Sequence, residues 1–307
     1  MRPHVTVRVP GSTSNLGSGF DCVGLAVPRW LTLTVEPADR SAVAPPGTIE
    51  RHGTVAGLTT PLQDDLLYRG FVAAARVVGK PVPPVALRVN SEIPVARGLG
   101  SSAAAVVAGA VAASALLELD LSDAALAELG TEIEGHPDNV APMVHGGATL
   151  VLPRTGVALT IARLAMHESL VLVFAVPDFT VETKRARAAL PATLAHPLAA
   201  EAAARAAALV YGLAHGDPRA LAAGLEDVLH VPFRKSLVQG YDDVVAAARG
   251  AGAFGATLSG SGPTIVAVAP EDRAAVVGDA MRRAWDASGV RTESFSVKRP
   301  ATRYELL

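Results

Sequence analysis

Apolar and polar positions alternate with a period of two near the start of the chain. "VTVRV" (5–9) and "WLTLTVEP" (30–37) place β-branched and bulky residues on every second position, which predicts strands. "VALRVNS" (85–91), "ATLVLP" (148–153) and "SLVLVFAVP" (169–177) are strand-like too. Other segments repeat with the helical period. "DLLYRGFVAAARVVG" (65–79) has Asp65 near its start and Gly79 at its stop. "SDAALAELGTEIEG" (122–135) opens on a Ser cap and closes on a Gly stop. Pro and Gly cluster at 45–53, which predicts a loop or edge turn. In the second half, 197–216, 218–229 and 271–289 predict helices. "GATLSGSGPTIVAVAP" (255–270) predicts strand, glycine turn and strand, and 291–299 a last strand. Nothing repeats at a fixed period. Helices alternate with hairpins, not with single parallel strands, so the expected class is α+β, with a soft boundary near 160 separating lobes 1–160 and 161–307.

One run needs separate treatment. Residues 103–117, "AAAVVAGAVAASALL", carry no charge. The run is shorter than the roughly 20 residues a bilayer span needs, it is rich in Ala, not Leu, and Glu118 and Asp120 close it. A buried, tightly packed helix is the better reading, and no membrane partner is expected. The first residues, "MRPHVTVRVP", alternate like a strand and hold no apolar signal-peptide core.

Composition narrows the class further. The 307 residues are 50% apolar and 18% charged, which is globular and not disordered. A formal net charge of -2 leaves no global basic field, so no nucleic-acid partner is expected and a small substrate is favoured. The single cysteine, Cys22, excludes a disulfide framework and fits a reducing cytoplasm. Its position beside Val23 reads as a small buried hydrophobe, not a nucleophile.

Three small-residue turns exceed what a core requires: "PGSTSNLGSGFD" (10–21), "PVARGLGSSAA" (94–104) and "LSGSGPT" (258–264). The second follows a strand and opens the Ala-rich helix. The first N–H groups of that helix lack intrahelical partners, and the helix dipole makes that end positive. Gly98 and Gly100 clear side chains away, and Ser101 and Ser102 add hydroxyls, the second able to face Mg²⁺ or a phosphate. A plain Ser-capped helix after a turn is the alternative. A Walker A loop is absent, since the one Gly-Lys, at 79–80, is followed by Pro. Gly98, Gly100 and Ala103 match G-x-G-x-x-A, but the acidic residue at the right spacing, Glu118, ends the helix and not a second strand. That match keeps a nucleotide-dependent oxidoreductase as a rival. Residues 100–104 resemble a nucleophile elbow without its last Gly, and no His-plus-acid pairing accompanies them.

"TEIEGHPDNVAPMVHGG" (131–147) gathers Glu134, His136, Asp138 and Asn139 where a helix ends. No zinc spacing is present. A carboxylate with a nearby Ser hydroxyl suits Mg²⁺, which keeps waters and shares phosphate oxygens. A turn held by Asx side chains is the bland alternative. Arginine outnumbers lysine, which occurs only at 80, 184, 235 and 298. "VETKRARAALP" (181–191) and "HVPFRKSLVQG" (230–240) put cations beside turn residues, where Arg pairs well with a carboxylate or phosphate.

With these motifs in view, the chain resembles the GHMP kinases, a superfamily of small-molecule kinases. "PVARGLGSSAA" is similar to their phosphate loop and "LSGSGPT" to their third motif. The form of "PGSTSNLGSGFDCVGLAV", with "EGHPDNVAP", "TKRARAALP" and "HVPFRKSLVQG", is similar to the homoserine kinases among them. The resemblance implies two α+β lobes: an N-terminal ATP-binding lobe like ribosomal protein S5 domain 2, and a ferredoxin-like C-terminal lobe. It implies transfer of the γ-phosphoryl group of Mg-ATP to L-homoserine, giving O-phospho-L-homoserine and ADP, in threonine biosynthesis.

Carried onto this chain, Pro94, Arg97, Gly98, Leu99, Gly100, Ser101, Ser102 and Ala103 would hold the nucleotide, with Ser102 and Glu134 on Mg²⁺. Asn15, Asp21, His136, Asn139, Arg187, Arg234 and Gly260 would form the amino-acid pocket. Asp21 suits the ammonium, while Arg187 and Arg234 suit the carboxylate or the moving phosphoryl group. Asn139, Arg187 and Arg234 are the expected catalytic residues. Asn139 is expected to orient the hydroxyl without a dedicated base, and Asp138 to be structural. Asp65 stands where the family usually has Asn, a departure that leaves the adenine contacts open. A homodimer is compatible with this reading. Two rivals stay beside it: another GHMP kinase with a different acceptor, and a non-catalytic sensor of ATP or amino acids.

Overall fold

The structure, a computed structural model, describes residues 2–38, 47–153 and 159–307. Its first sheet contains β1 (Val5–Ser14), β2 (Val23–Pro37), β3 (Ile49–Gly53), β4 (Val85–Ser91), β5 (Ala148–Leu152), β6 (Thr160–Leu164) and β11 (Glu305–Leu306). The order is β11-β1-β2-β4-β3, with β5 bridging β2 to β6. Every pairing is antiparallel except β3 with β4. The second sheet contains β7 (Leu170–Pro177), β8 (Gly255–Leu258), β9 (Ile265–Pro270) and β10 (Thr292–Val297), in the order β10-β7-β9-β8. With helices between β7 and β8 and between β9 and β10, this is the ferredoxin-like βαββαβ arrangement that was expected.

The first sheet is covered by α1 (Leu66–Val77), α2 (Ser101–Leu116), α3 (Asp123–Glu134) and the short α4 (Val140–His145). Their residues share one core with Val7, Val9, Leu31 and Leu33. The second sheet packs α9 (Tyr241–Gly250) and α10 (Ala274–Ala287) on one face. Strand β7 shows how a continuous apolar run serves two cores. Leu170, Leu172, Phe174 and Val176 face the first, and Val171, Val173 and Ala175 the second. Between β7 and β8 the chain forms α5 (Thr183–Ala188), α6 (His196–His215), α7 (Pro218–Leu225) and α8 (Val231–Arg234), with α6 and α7 adding Leu209, Leu213, Leu221 and Leu225 to the first core.

The Ala-rich run is a buried helix, as predicted, and no described helix is long and apolar enough to cross a membrane. It is apolar all round because α1 lies on one side and β1 and β2 on another. Gly109 sets the distance to α1: a Cβ there would sit 1.9 Å from the Leu67 carbonyl oxygen. Gly109→Ala is expected to destabilise the protein by about 1–3 kcal/mol through overpacking. Urea unfolding measures this, and a loss under about 0.5 kcal/mol would contradict the close approach.

Several sequence expectations are corrected. Of the stretch 45–53 read as loop, residues 45–46 lie outside the described residues, and Ile49–Gly53 form β3. The turn at 10–21 begins inside β1, whose register shifts between Pro10 and Gly11, and most of "CVGLAV" is already strand β2. Helices α4 and α9 and strands β6 and β11 carried no clear sequence signal.

Candidate active site

The three small-residue turns meet. Ser12 N–H donates to the Leu99 carbonyl at 3.1 Å and Gly260 N–H to the Ser14 carbonyl at 2.8 Å. Ser259 Oγ donates to the Gly98 carbonyl at 2.6 Å and bonds Thr13 Oγ1 at 2.8 Å, while Thr264 Oγ1 donates to the Arg97 carbonyl at 2.5 Å. Non-Gly residues with left-handed backbone are few among the described residues, and three of them, Asn15, Asp21 and Ala96, lie in or beside these turns. Backbone strain gathered in this way marks functional segments.

The turns border a cleft of about 570 Å³. Gly100 caps α2 in the left-handed conformation, so the free N–H groups of that helix open onto the cleft beside Ser101 and Ser102. Arg97, Gly98, Asn15, His136, Asn139, Arg187, Arg234 and Gly260 also line it. Not every expected residue does. The Leu99 and Ala103 side chains are buried in the core beneath the loop, and Pro94 is half-buried away from the lining. These three support the loop instead of facing the cleft. Asp21 is also outside the lining, but it is tied to it by Arg187, whose Nη2 lies 2.8 Å from Oδ1 and Nη1 3.3 Å from Oδ2. The Asn15 side chain accepts from Asp21 N–H at 2.8 Å and fixes its left-handed backbone.

Glu134 ends α3, and its Oε2 accepts from Ser102 Oγ at 2.8 Å. Burial pushes this carboxyl above the usual range, opposed by the Ser102 hydrogen bond and the His136 charge. Asp138 is fully buried and does not line the cleft. Its Oδ1 bonds His136 Nδ1 at 2.9 Å and accepts from Asn139 Nδ2 at 3.4 Å. Burial works against a charged His136, yet the Asp138 hydrogen bond and charge outweigh it and raise the imidazole above its ordinary range. Ser12 Oγ donates to Asn139 Oδ1 at 2.7 Å, which leaves the Asn139 N–H groups to face Asp138 and the cleft.

Cys22 is half-buried with its thiol pushed up to about 11, first by burial and then by Asp138 and Asp21, so it is no nucleophile at neutral pH. Asp65 caps α1 through Leu67 N–H at 2.9 Å and holds Arg51 at 2.6 Å. Both line the cleft, as do Val55 and Leu58. Sequence reading flagged Asp65 but missed Arg51, which lay in the segment read as loop. It also missed Ser12, Thr183 and Ser261, whose small hydroxyls carry no distinctive signal.

Residues 65–147 match the GHMP kinases N terminal domain and residues 209–287 the GHMP kinases C terminal domain. A homoserine kinase from a Synechococcus strain is 41% identical over 303 residues, covering 98% of both chains. One from Gloeobacter violaceus is 42% identical, covering 91% of this chain and 92% of its own. The crystal structure of homoserine kinase from Cytophaga hutchinsonii superposes with a TM-score of 0.87 at 27% identity, covering 100% of this chain and 98% of that one. Mevalonate kinase from L. major shares the fold, with a TM-score of 0.69 at 16% identity and 96% coverage of both chains. Two matched domains in order, and identity sustained over nearly the whole chain, place it in the homoserine kinase family of the GHMP kinases.

Proposed function

We infer that the chain phosphorylates the hydroxyl of L-homoserine with ATP, giving O-phospho-L-homoserine and ADP for threonine biosynthesis. One observation carries this most directly. A single cleft joins the open N-terminus of α2, suited to phosphate, to Arg187, whose pairing with Asp21 just outside the lining sets opposite charges suited to a zwitterion. The phosphates would lie on the N–H groups from Gly98 to Ser102. The apolar lining of Val55 and Leu58, with Arg51 and Asp65, would take the base. The reading divides the chain near residue 160 into a nucleotide lobe and a second lobe, and places the reaction in the cytoplasm.

The residues present also fit Mg²⁺. Glu134 is a desolvated carboxylate that accepts from the Ser102 hydroxyl, and no cluster of three or more metal-ligating side chains exists among the described residues. Such a site suits a cation held by one carboxylate and by phosphate oxygens. Glu134 and Ser102 would hold it, and when bound it would neutralise charge on the phosphates.

The protein's own part is positioning. Asp21 and Arg187 exchange each other for the ammonium and carboxylate of the substrate. Asn139, its amide fixed by Ser12, donates to the acceptor hydroxyl oxygen and sets it in line with the γ-phosphorus. The new O–P bond forms as the bond to the ADP oxygen breaks, and the hydroxyl proton passes to solvent. Arg187 and Arg234 balance the charge of the moving group.

ADP release with Mg-ATP and a panel of acceptors tests the reading: L-homoserine, D-homoserine, L-serine, L-threonine, mevalonate and galactose. Turnover is expected largely with L-homoserine. Turnover only with mevalonate or a sugar would keep the fold and refute the pocket. Asp21→Asn is expected to raise the KM for homoserine about 10- to 100-fold, the worth of a hydrogen-bonded charge, with little change for ATP. Equal changes in both KM values would refute the assignment of Asp21.

A further inference from the structure

A buried polar chain runs from Asp227 through His230 to Arg234, and the steps above leave Asp227 and His230 unused. Asp227 Oδ2 accepts from the N–H groups of His230 at 2.6 Å and Val231 at 2.7 Å, and Oδ1 from Leu229 N–H at 3.0 Å. These bonds satisfy free donors at the start of α8 and fix the backbone that carries His230. The His230 ring is fully buried. Its Nε2 lies 3.1 Å from the Gly17 carbonyl oxygen and its Nδ1 3.4 Å from Arg234 Nη1. Its face stacks on Phe20, with centroids 5.1 Å apart and planes 25° from parallel. The Arg234 guanidinium stands 5.1 Å over the same Phe20 ring, and its Nε donates to the Ala186 carbonyl at 3.1 Å.

The partners dictate the state of the ring. A carbonyl only accepts, so the nitrogen facing Gly17 carries the proton. A guanidinium only donates, so the nitrogen facing Arg234 presents a lone pair. The neutral Nε2–H tautomer alone satisfies both. Burial holds this imidazole below its ordinary range, assisted by the Arg234 charge and opposed by Asp227. Arg234 itself is 1% exposed, and Arg187 nearby repels it. Without an acceptor at Nδ1, the guanidinium keeps the Ala186 carbonyl and the Phe20 face, which fix one edge and one plane but not its direction into the cleft.

We propose that His230 is a positioning residue. It aims Arg234 into the cleft and links that aim to the Gly17 loop, which carries Asn15 and Asp21, so the cation and the first-motif residues keep one geometry. The proposal rests on reading Arg234 as a ligand of the acceptor or of the moving phosphoryl group.

The test is a kinetic cycle in the full chain: His230→Leu, His230→Asn, His230→Gln, Arg234→Gln, and each His230 change combined with Arg234→Gln. Asn keeps an acceptor at the place of Nδ1. Gln reaches the place of Nε2 but offers nothing to Arg234. Leu and Gln are expected to raise the KM for homoserine about tenfold, the worth of one hydrogen bond to a charged group, with the KM for ATP within about twofold. Asn is expected to stay near wild type. In the Arg234→Gln background none of the three should cost anything further. If Leu fails to fold, the contrast between Asn and Gln decides alone. Additive losses in both backgrounds, parallel rises in both KM values, or Gln outperforming Asn would overturn the proposal while Arg234 stands. An Arg234→Gln variant with wild-type kinetics for homoserine would instead overturn the reading of Arg234 and the proposal with it.

Discussion

Glu134→Gln is expected to lower kcat by about 100- to 1,000-fold, the several kcal/mol that a correctly held cation contributes to phosphoryl transfer. The substitution is close to isosteric, and its amide oxygen can still accept from Ser102 Oγ, the bond that measures 2.8 Å in the native chain. What it removes is charge. The concentration of Mg²⁺ at half-maximal rate should therefore rise, while the KM for homoserine stays near its native value. Unfolding is separable from this effect. A carboxyl whose pKa is raised on folding binds its proton more tightly in the folded state, so above its unfolded pKa it costs stability. Removing that charge should leave Tm unchanged or higher. A loss of kcat with unchanged dependence on Mg²⁺ would show that Glu134 acts by some other means.

Local signals in the sequence were reliable where the physics is local. Strand β4 matches its predicted span of 85–91, because strict alternation and β-branching leave little choice. Helices α1 and α3 begin at their acidic and Ser caps, with the cap oxygens bonded to Leu67 and Ala125 N–H. Strand β3 was not legible. Its residues, "IERHG", hold one apolar side chain, and the strand exists because it pairs with β4 and sets Arg51 beside Asp65. The two-residue β11 likewise depends wholly on its partner β1.

The site was legible as motifs and not as geometry. The loop proposed to hold phosphate could be read from its glycines and serines. That Leu99 and Ala103 turn inward beneath it could not, since both fit either side of a loop. The pairing of Asp21 with Arg187 joins residues 166 positions apart, and only the fold brings them together. Asp138 illustrates the opposite case. The acid is fully buried, and its Oδ1 holds His136 at 2.9 Å beside the cleft. The sequence alone could not have said which neighbour it held.

The contact between the second and third turns is a tight backbone constraint, and it yields the largest expected loss. Gly98 has φ +74°, and a Cβ there would stand 2.1 Å from the Ser259 carbonyl oxygen and 3.1 Å from that of Gly262. Both obstacles are backbone, so no side chain can swing aside. Gly98→Ala must therefore part the two turns, break the Ser259 bond to the Gly98 carbonyl, and carry a strained left-handed residue. Together these amount to about 2–4 kcal/mol, or a fall in Tm of about 5–15 °C. The kinetic loss should exceed the thermal one. The same displacement moves the first N–H groups of α2, and a shift of about 1 Å in a positioning group can cost 100-fold or more. The expected result is loss of about 1,000-fold or more in kcat/KM for ATP in protein that is still folded. Gly289→Ala is the control, since φ there is +75° with nothing within 4 Å of a Cβ. It bears the backbone strain alone, about 1 kcal/mol, and should lower Tm by about 2–4 °C with native kinetics. If Gly98→Ala matched that control in both measurements, neither the contact nor the role of this turn in holding phosphate would survive.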